Sequence, residues 1–163
     1  MGDLSLQLSN VIKEHEINYV LTVPCTILSK YYDESITNTI YLSREEEGVG
    51  LASGLTVSNQ NAILMMQNSG LGNCINAFAS LTIPYKIGFL VIVSMRGDEL
   101  EDNPVQIPMG NATKALINSI GCKYYEINRT NDLTTTINKA FEEVNSSEKP
   151  IFVLLPRKEH LCE

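Results

Sequence analysis

A chain of 163 residues is long enough to bury one continuous apolar core but short for two, so a single domain over residues 1–163 is expected. With 44% hydrophobic and 19% charged residues, it carries the apolar material that disordered chains lack. A net charge of −7 with only 12 Lys and Arg excludes the basic face that nucleic acid requires, and no polybasic patch, signal-peptide pattern or spanning apolar run points to a membrane, so a soluble cytoplasmic protein is expected.

Leu8, Val11, Ile12 and His15 fall at helical spacing and lead into a strand at Tyr19 to Val23, which Pro24 ends. A short helix over Thr26 to Tyr32 and a strand over Asn38 to Leu42 follow. Ser43 with Glu46 three residues on reads as a capping box for a helix to about Val57. Ala62 to Met66 reads as a third strand, Gln67 to Gly72 as a polar glycine-bearing turn, and Ala77 to Leu81 as part of the next helix. Ile87 to Val93 is a buried strand, Met95 to Asn111 a long irregular stretch, and Ala112 to Ile120 a helix. A strand near Tyr124 to Ile127, a helix from Leu133 to Val144 and a last strand at Ile151 to Leu155 complete the chain.

Strands alternate with helices, and the strands are almost continuously apolar, the pattern of a parallel sheet covered on both faces. The expected fold class is α/β, a three-layer αβα arrangement around a mostly parallel sheet of about six strands. Ligands of such folds sit beyond the carboxyl ends of the strands, so the loops starting at Pro24, Ser43, Gln67 and Ser94 should converge. Cys25, Cys74, Cys122 and Cys162 are scattered, with no Cys-x-x-Cys pair and only His15 and His160 as imidazoles, so zinc spacing is absent and reduced thiols are expected. Cys74 and Cys122 read as small buried hydrophobes.

Acidic residues in Ser43-Arg44-Glu45-Glu46-Glu47 suit the positive end of a helix dipole. Glu45 differs from its neighbours, because Gly48, Val49 and Ala52 continue its stripe toward the core. A carboxyl against apolar surface resists ionisation, and in its protonated form it can donate a hydrogen bond to a ring nitrogen. The segment Gln67-Asn68-Ser69-Gly70-Leu71-Gly72-Asn73 lets backbone approach a ligand at its two glycines, yet it is neither a dinucleotide fingerprint nor a phosphate loop. Arg96 is the cation nearest a strand end, and its planar fork suits a carboxylate or sulfonate; a surface ion pair with Asp98 or Glu99 is the other reading.

Arg44-Glu45-Glu46-Glu47-Gly48-Val49-Gly50-Leu51-Ala52-Ser53-Gly54 resembles the pyrimidine-domain signature of thiamine-diphosphate enzymes. Met66 through Asn73 resembles the matching loop of phosphonopyruvate and sulfopyruvate decarboxylases. Val23-Pro24-Cys25, Arg96-Gly97 and Asn103 through Gly110 are similar to the sulfopyruvate branch in particular. The resemblance covers nearly the whole chain, with the motifs in the family's order, and implies a pyrimidine-binding domain.

By that resemblance Glu45 is the catalytic glutamate contacting N1' of the aminopyrimidine, favouring the imino tautomer that generates the ylid. Asn68, Ser69 and Gly70 would line the cofactor, and Cys25, Thr26 and Arg96 are candidates for contact with substrate. The implied reaction turns 3-sulfopyruvate into sulfoacetaldehyde and CO2, a step of coenzyme M biosynthesis in methanogens. The family's Gly-Asp-Gly segment and downstream Asn, which hold diphosphate and Mg2+, have no counterpart here beyond Arg96-Gly97-Asp98-Glu99. The resemblance therefore implies a separate beta subunit that holds Mg2+, with thiamine diphosphate shared across the interface. Alternatives are a phosphonopyruvate decarboxylase-type subunit, a non-catalytic ligand-binding module of the same fold, and a free-standing flavodoxin-type domain.

Overall fold

The computed structural model of the chain describes residues 4–99, 101–128 and 133–157. Six strands, β1 (Tyr19–Thr22), β2 (Asn38–Tyr41), β3 (Ala62–Gln67), β4 (Leu90–Ser94), β5 (Lys123–Glu126) and β6 (Ile151–Leu155), form one sheet. All neighbouring strands run parallel, in the order β2-β1-β3-β4-β6-β5. The helices are α1 (Leu4–Glu14), α2 (Glu45–Val57), α3 (Asn68–Ala77), α4 (Ile107–Ser119) and α5 (Leu133–Ser147).

Side chains alternate across a strand, so a strand covered on both faces must supply two cores at once. Ile63 and Met65 of β3, Leu90 and Ile92 of β4, and Ile151 and Val153 of β6 pack with Leu8 and Val11 of α1 and Ile137 and Ala140 of α5. The intervening Leu64, Met66, Val91, Val93, Phe152 and Leu154 meet Val49 and Ala52 of α2, Leu71 and Cys74 of α3, and Ile117 of α4. The expected three-layer α/β arrangement follows, with α1 and α5 on one face and α2, α3 and α4 on the other. His15 lies between the two helices of the first face, its ring stacked on Phe141 at 4.3 Å and bonded to Asn138 at 2.9 Å.

Where elements differ from expectation, local contacts explain the shift. The segment Thr26 to Tyr32 keeps only one 3-10 turn, Leu28–Lys30, because Tyr31 is drawn fully into the core and its hydroxyl donates to the Pro156 carbonyl at 2.9 Å. The cap of α2 moves by one residue: Arg44 is the N-cap, and Glu47 rather than Glu46 accepts the Ser43 and Arg44 amides, at 3.2 and 3.3 Å. The turn expected at Gln67 to Gly72 is instead the start of α3, which begins directly after the extended Gln67. In α4 the helix begins at Ile107, well before Ala112, since Pro104 and Pro108 fall in opening turns that need no donor from them. Among the described residues no helix is long and apolar enough to cross a membrane.

The chain leaves β1 for the edge strand β2 and leaves β3 for β4 in the opposite direction. The crevice between the carboxyl ends of β1 and β3 is thus the switch point of the sheet. Next to it, the loop after β4 is held by a compact set of contacts. Gly97, at φ +88°, packs so closely on Gly110 that a Cβ on Gly110 would lie 2.6 Å from the Gly97 carbonyl oxygen. The Glu101 carboxylate, whose side chain is shielded from solvent, accepts Arg96 Nε at 2.7 Å and the Gly97 and Asn103 amides at 2.9 and 3.1 Å.

Arg96 holds the Glu101 carboxyl well below the usual carboxylate range, followed in effect by the backbone donors. A depressed pKa contributes stability above the unfolded-state value, near 4.3, that is lost as pH falls toward the folded value. Glu101→Gln should therefore lower thermal stability at pH 7, with the gap to wild type narrowing as the solution is acidified through the carboxylate range. Melting curves across pH check it; a gap that does not depend on pH would contradict this account of the loop.

Candidate active site

Three consecutive glutamates open α2, and two of them have local partners. Glu46 pairs with Arg44 at 3.5 Å on the exposed side, and Glu47 caps the helix. Glu45 alone is half-buried, on the stripe that continues through buried Gly48, Val49 and Ala52. Among the described residues no hydrogen-bond donor or cation pairs with its carboxyl.

That carboxyl lies on α3 at Gly70, where an added Cβ would stand 2.3 Å from both Cδ and Oε1 of Glu45. Only a glycine leaves room for the acid at this point. Cys74, one turn on, is fully buried and bonds the Gly70 carbonyl at 3.3 Å. Burial, and after it the Glu45 carboxylate, pushes the Cys74 thiol up to about 12. The Glu45 carboxyl thus borders a desolvated patch while keeping part of its surface open.

Of the four loops expected to converge, those starting at Pro24, Gln67 and Ser94 meet at one side chain, and the Ser43 loop reaches the same helix through Glu45 at Gly70. Gln67 Nε2 donates to Ser69 Oγ at 2.7 Å and to Gln106 Oε1 at 3.4 Å, and its Oε1 accepts from the Cys25 thiol at 3.8 Å. The same thiol lies 3.4 Å from the buried Ser94 hydroxyl. Residues following β1, β3 and β4 therefore meet at the switch point. Thr26 and Ser69 are exposed there, and Cys25 is half-buried.

Asn68, expected to line a ligand, is fully buried and its carboxamide is used internally. It donates to the Arg96 carbonyl at 2.9 Å and to Thr113 at 3.2 Å, and accepts the Arg96 amide at 3.3 Å. Its side chain thus ties the first turn of α3 to the β4 loop and to α4. Arg96 pairs with Glu101 and Asp102, not with Asp98 or Glu99. Asp98 instead accepts both Nε and Nη2 of Arg157, at 3.0 and 2.6 Å, which makes Arg157 a second cation at the strand ends.

A cleft of about 400 Å³ opens beside Cys25 and Thr26, lined also by Tyr32, Glu34, Tyr41 and Met65. Among the described residues its lining includes no Lys or Arg, and the Glu34 carboxylate raises the Tyr41 phenol. The cysteines at 74 and 122 are buried as expected, the latter with a thiol raised to about 11 by burial; Cys162 and His160 lie outside the described residues. Glu101 and Arg157 carried no sequence signal, because loop residues have no periodicity and both ion pairs depend on how the turn folds.

No protein-family model matches the chain. It is 38% identical over 148 residues to the sulfopyruvate decarboxylase subunit alpha of Methanococcus maripaludis, covering 88% of this chain and 89% of that protein. It is 40% identical over 118 residues to the protein of the same name from Methanocaldococcus jannaschii, covering 69% of each. A phosphonopyruvate decarboxylase of Streptomyces viridochromogenes is 28% identical over 86% of this chain and 37% of that protein.

Among solved structures, a thiamine diphosphate-dependent 4-hydroxybenzoylformate decarboxylase of Rhodococcus jostii superposes with a TM-score of 0.73 at 17% identity, over 98% of this chain and 31% of that one. A benzoylformate decarboxylase of Polynucleobacter necessarius gives 0.74 at 20% identity, with the same coverage of both chains. These two show a shared fold, and the methanogen sequences show more: the chain belongs to the family of sulfopyruvate decarboxylase alpha subunits.

Proposed function

We propose that this chain is the alpha subunit of a thiamine-diphosphate-dependent carboxy-lyase that converts 3-sulfopyruvate into sulfoacetaldehyde and CO2. The step belongs to coenzyme M biosynthesis and takes place in the cytoplasm. The observation that carries this reading is the Glu45 carboxyl, half-buried against Gly70 and free of any partner among the described residues. A carboxyl left without a local role at a strand-end crevice is what a pyrimidine ring nitrogen requires.

Loss of CO2 from a 2-oxo acid leaves a carbanion that side chains do not stabilise, and bound thiamine diphosphate supplies the electron sink. Glu45 would place its carboxyl at the pyrimidine nitrogen and hold a proton there. Gly70, by lacking a side chain, keeps that carboxyl in place, and with Ser69 it lines the space for the ring. Asn68 acts from beneath, through the rigid first turn of α3.

A separate beta subunit completes the site, holding diphosphate and Mg2+. Support comes from the surface beside Glu45: no charged residue occurs between Glu47 and Lys86, so the outer sides of α2 and α3 carry no charge beyond the first turn of α2. Leu51 and Val57 are exposed on it, and nothing lies within 4 Å of a Cβ added at Gly50 or Gly54. Depletion of charge is the compositional mark of an interface core. The phosphonopyruvate reading is the weaker one, since that relative is 28% identical and the sulfopyruvate relatives 38% and 40%.

Two substitutions test the site in the complex reconstituted with the beta chain. Glu45→Gln should lower sulfopyruvate turnover on the order of a hundredfold or more, as expected for loss of an acid/base contact; near-normal turnover would remove Glu45 from this role. Gly70→Ala should displace the Glu45 carboxyl and depress turnover with far-ultraviolet circular dichroism unchanged. Full activity in that variant would show that the Glu45–Gly70 contact is not needed.

A further inference from the structure

Gln67 is the last residue of β3 and the N-cap of α3, yet its side chain caps nothing. Its carboxamide instead spans the switch point. The amide nitrogen reaches Ser69 at 2.7 Å and Gln106 at 3.4 Å, on the first turn of α3 and at the far end of the β4 loop. The oxygen faces the Cys25 thiol at 3.8 Å, and that thiol in turn meets Ser94 at 3.4 Å. One neutral side chain thus touches groups from the segments after β1, β3 and β4.

Among the described residues the cations nearby are already committed: Arg96 to Glu101 and Arg157 to Asp98. Both walls of the crevice next to Gln67 are therefore held by neutral contacts, Cys25 on one side and Gln106 on the other. A carboxamide has two donors and one acceptor group at fixed angles, so this one side chain donates to Ser69 and Gln106 and accepts from Cys25 at the same time; a hydroxyl has only one donor and a carboxylate none.

We infer that Gln67 is a positioning residue for substrate binding: it sets the separation of the Cys25 and Gln106 walls and so the fit of the 3-sulfopyruvate substrate between them. This rests on the reaction site proposed above. Gln67 acts through its neighbours, and the Glu45 carboxyl, at the start of α2, lies against Gly70 further along α3. Its loss should therefore weaken substrate binding more than it slows turnover.

The test is Gln67→Met, which keeps length and removes all three contacts, in the complex with the beta chain. KM for 3-sulfopyruvate should rise on the order of tenfold as the two walls lose their spacing, a change of the size of one net hydrogen bond, with a smaller change in kcat. Gln106→Met, removing one arm, should raise KM by a smaller factor. A second readout is independent of catalysis: alkylation of Cys25 by iodoacetamide, followed on its own peptide by mass spectrometry, should accelerate several-fold in Gln67→Met.

Unchanged KM in both variants, or a fall in kcat with KM unchanged, overturns the inference. So does an unchanged Cys25 alkylation rate, which would decide against it even if the wild-type complex left sulfopyruvate intact. Failure of the wild-type complex to decarboxylate sulfopyruvate counts instead against the proposed function.

Discussion

The contact between the Glu45 carboxyl and Gly70 is the constraint around which this half of the molecule is arranged. A half-buried acid without a partner is unfavourable in a folded chain, because burial removes solvation that nothing replaces. Here two helices are brought together so that the acid rests on bare backbone, and its two neighbours in sequence are drawn off into a surface ion pair and a helix cap. The arrangement gives up some stability at one point and leaves one carboxyl available.

Holding that point still is the work of buried amides and ion pairs rather than of the apolar core alone. Asn68 uses every polar group of its side chain to lock the start of α3 to the β4 loop and α4. The loop itself is wrapped on Glu101 and pinned through Asp98 to Arg157 beyond β6. The parallel order of the strands makes this possible, since it delivers the segments after β1, β3, β4 and β6 to one end of the sheet. Rigidity of that end is what a preorganised site needs.

Much of this was legible in the residues. Continuous apolar runs such as Ile151 to Leu155 specify buried parallel strands, and the period-2 division of those runs between two cores follows directly. Glu45 could be singled out because Gly48, Val49 and Ala52 mark its stripe as the buried one. Other features were not legible. Gln67 to Gly72 looks like a turn because glycines are usually turn residues, whereas here Gly70 serves close packing inside a helix. Asn68 is marked as a cofactor contact by the resemblance alone, and only the three-dimensional path of the β4 loop turns its side chain inward. The partnership of Arg96 with Glu101 depends on that same path, at a separation that no periodic rule predicts.

In the proposed function Glu45 meets a pyrimidine nitrogen in a site shared by two chains. Isothermal titration of thiamine diphosphate with Mg2+ tests this most directly, with the alpha chain alone, with alpha and beta together, and with the Glu45→Ala complex. Saturable binding by the wild-type complex, none by the alpha chain alone and clearly weaker binding by the variant complex is the predicted result. Tight binding by the alpha chain unaided, or equal affinity with and without Glu45, would contradict it.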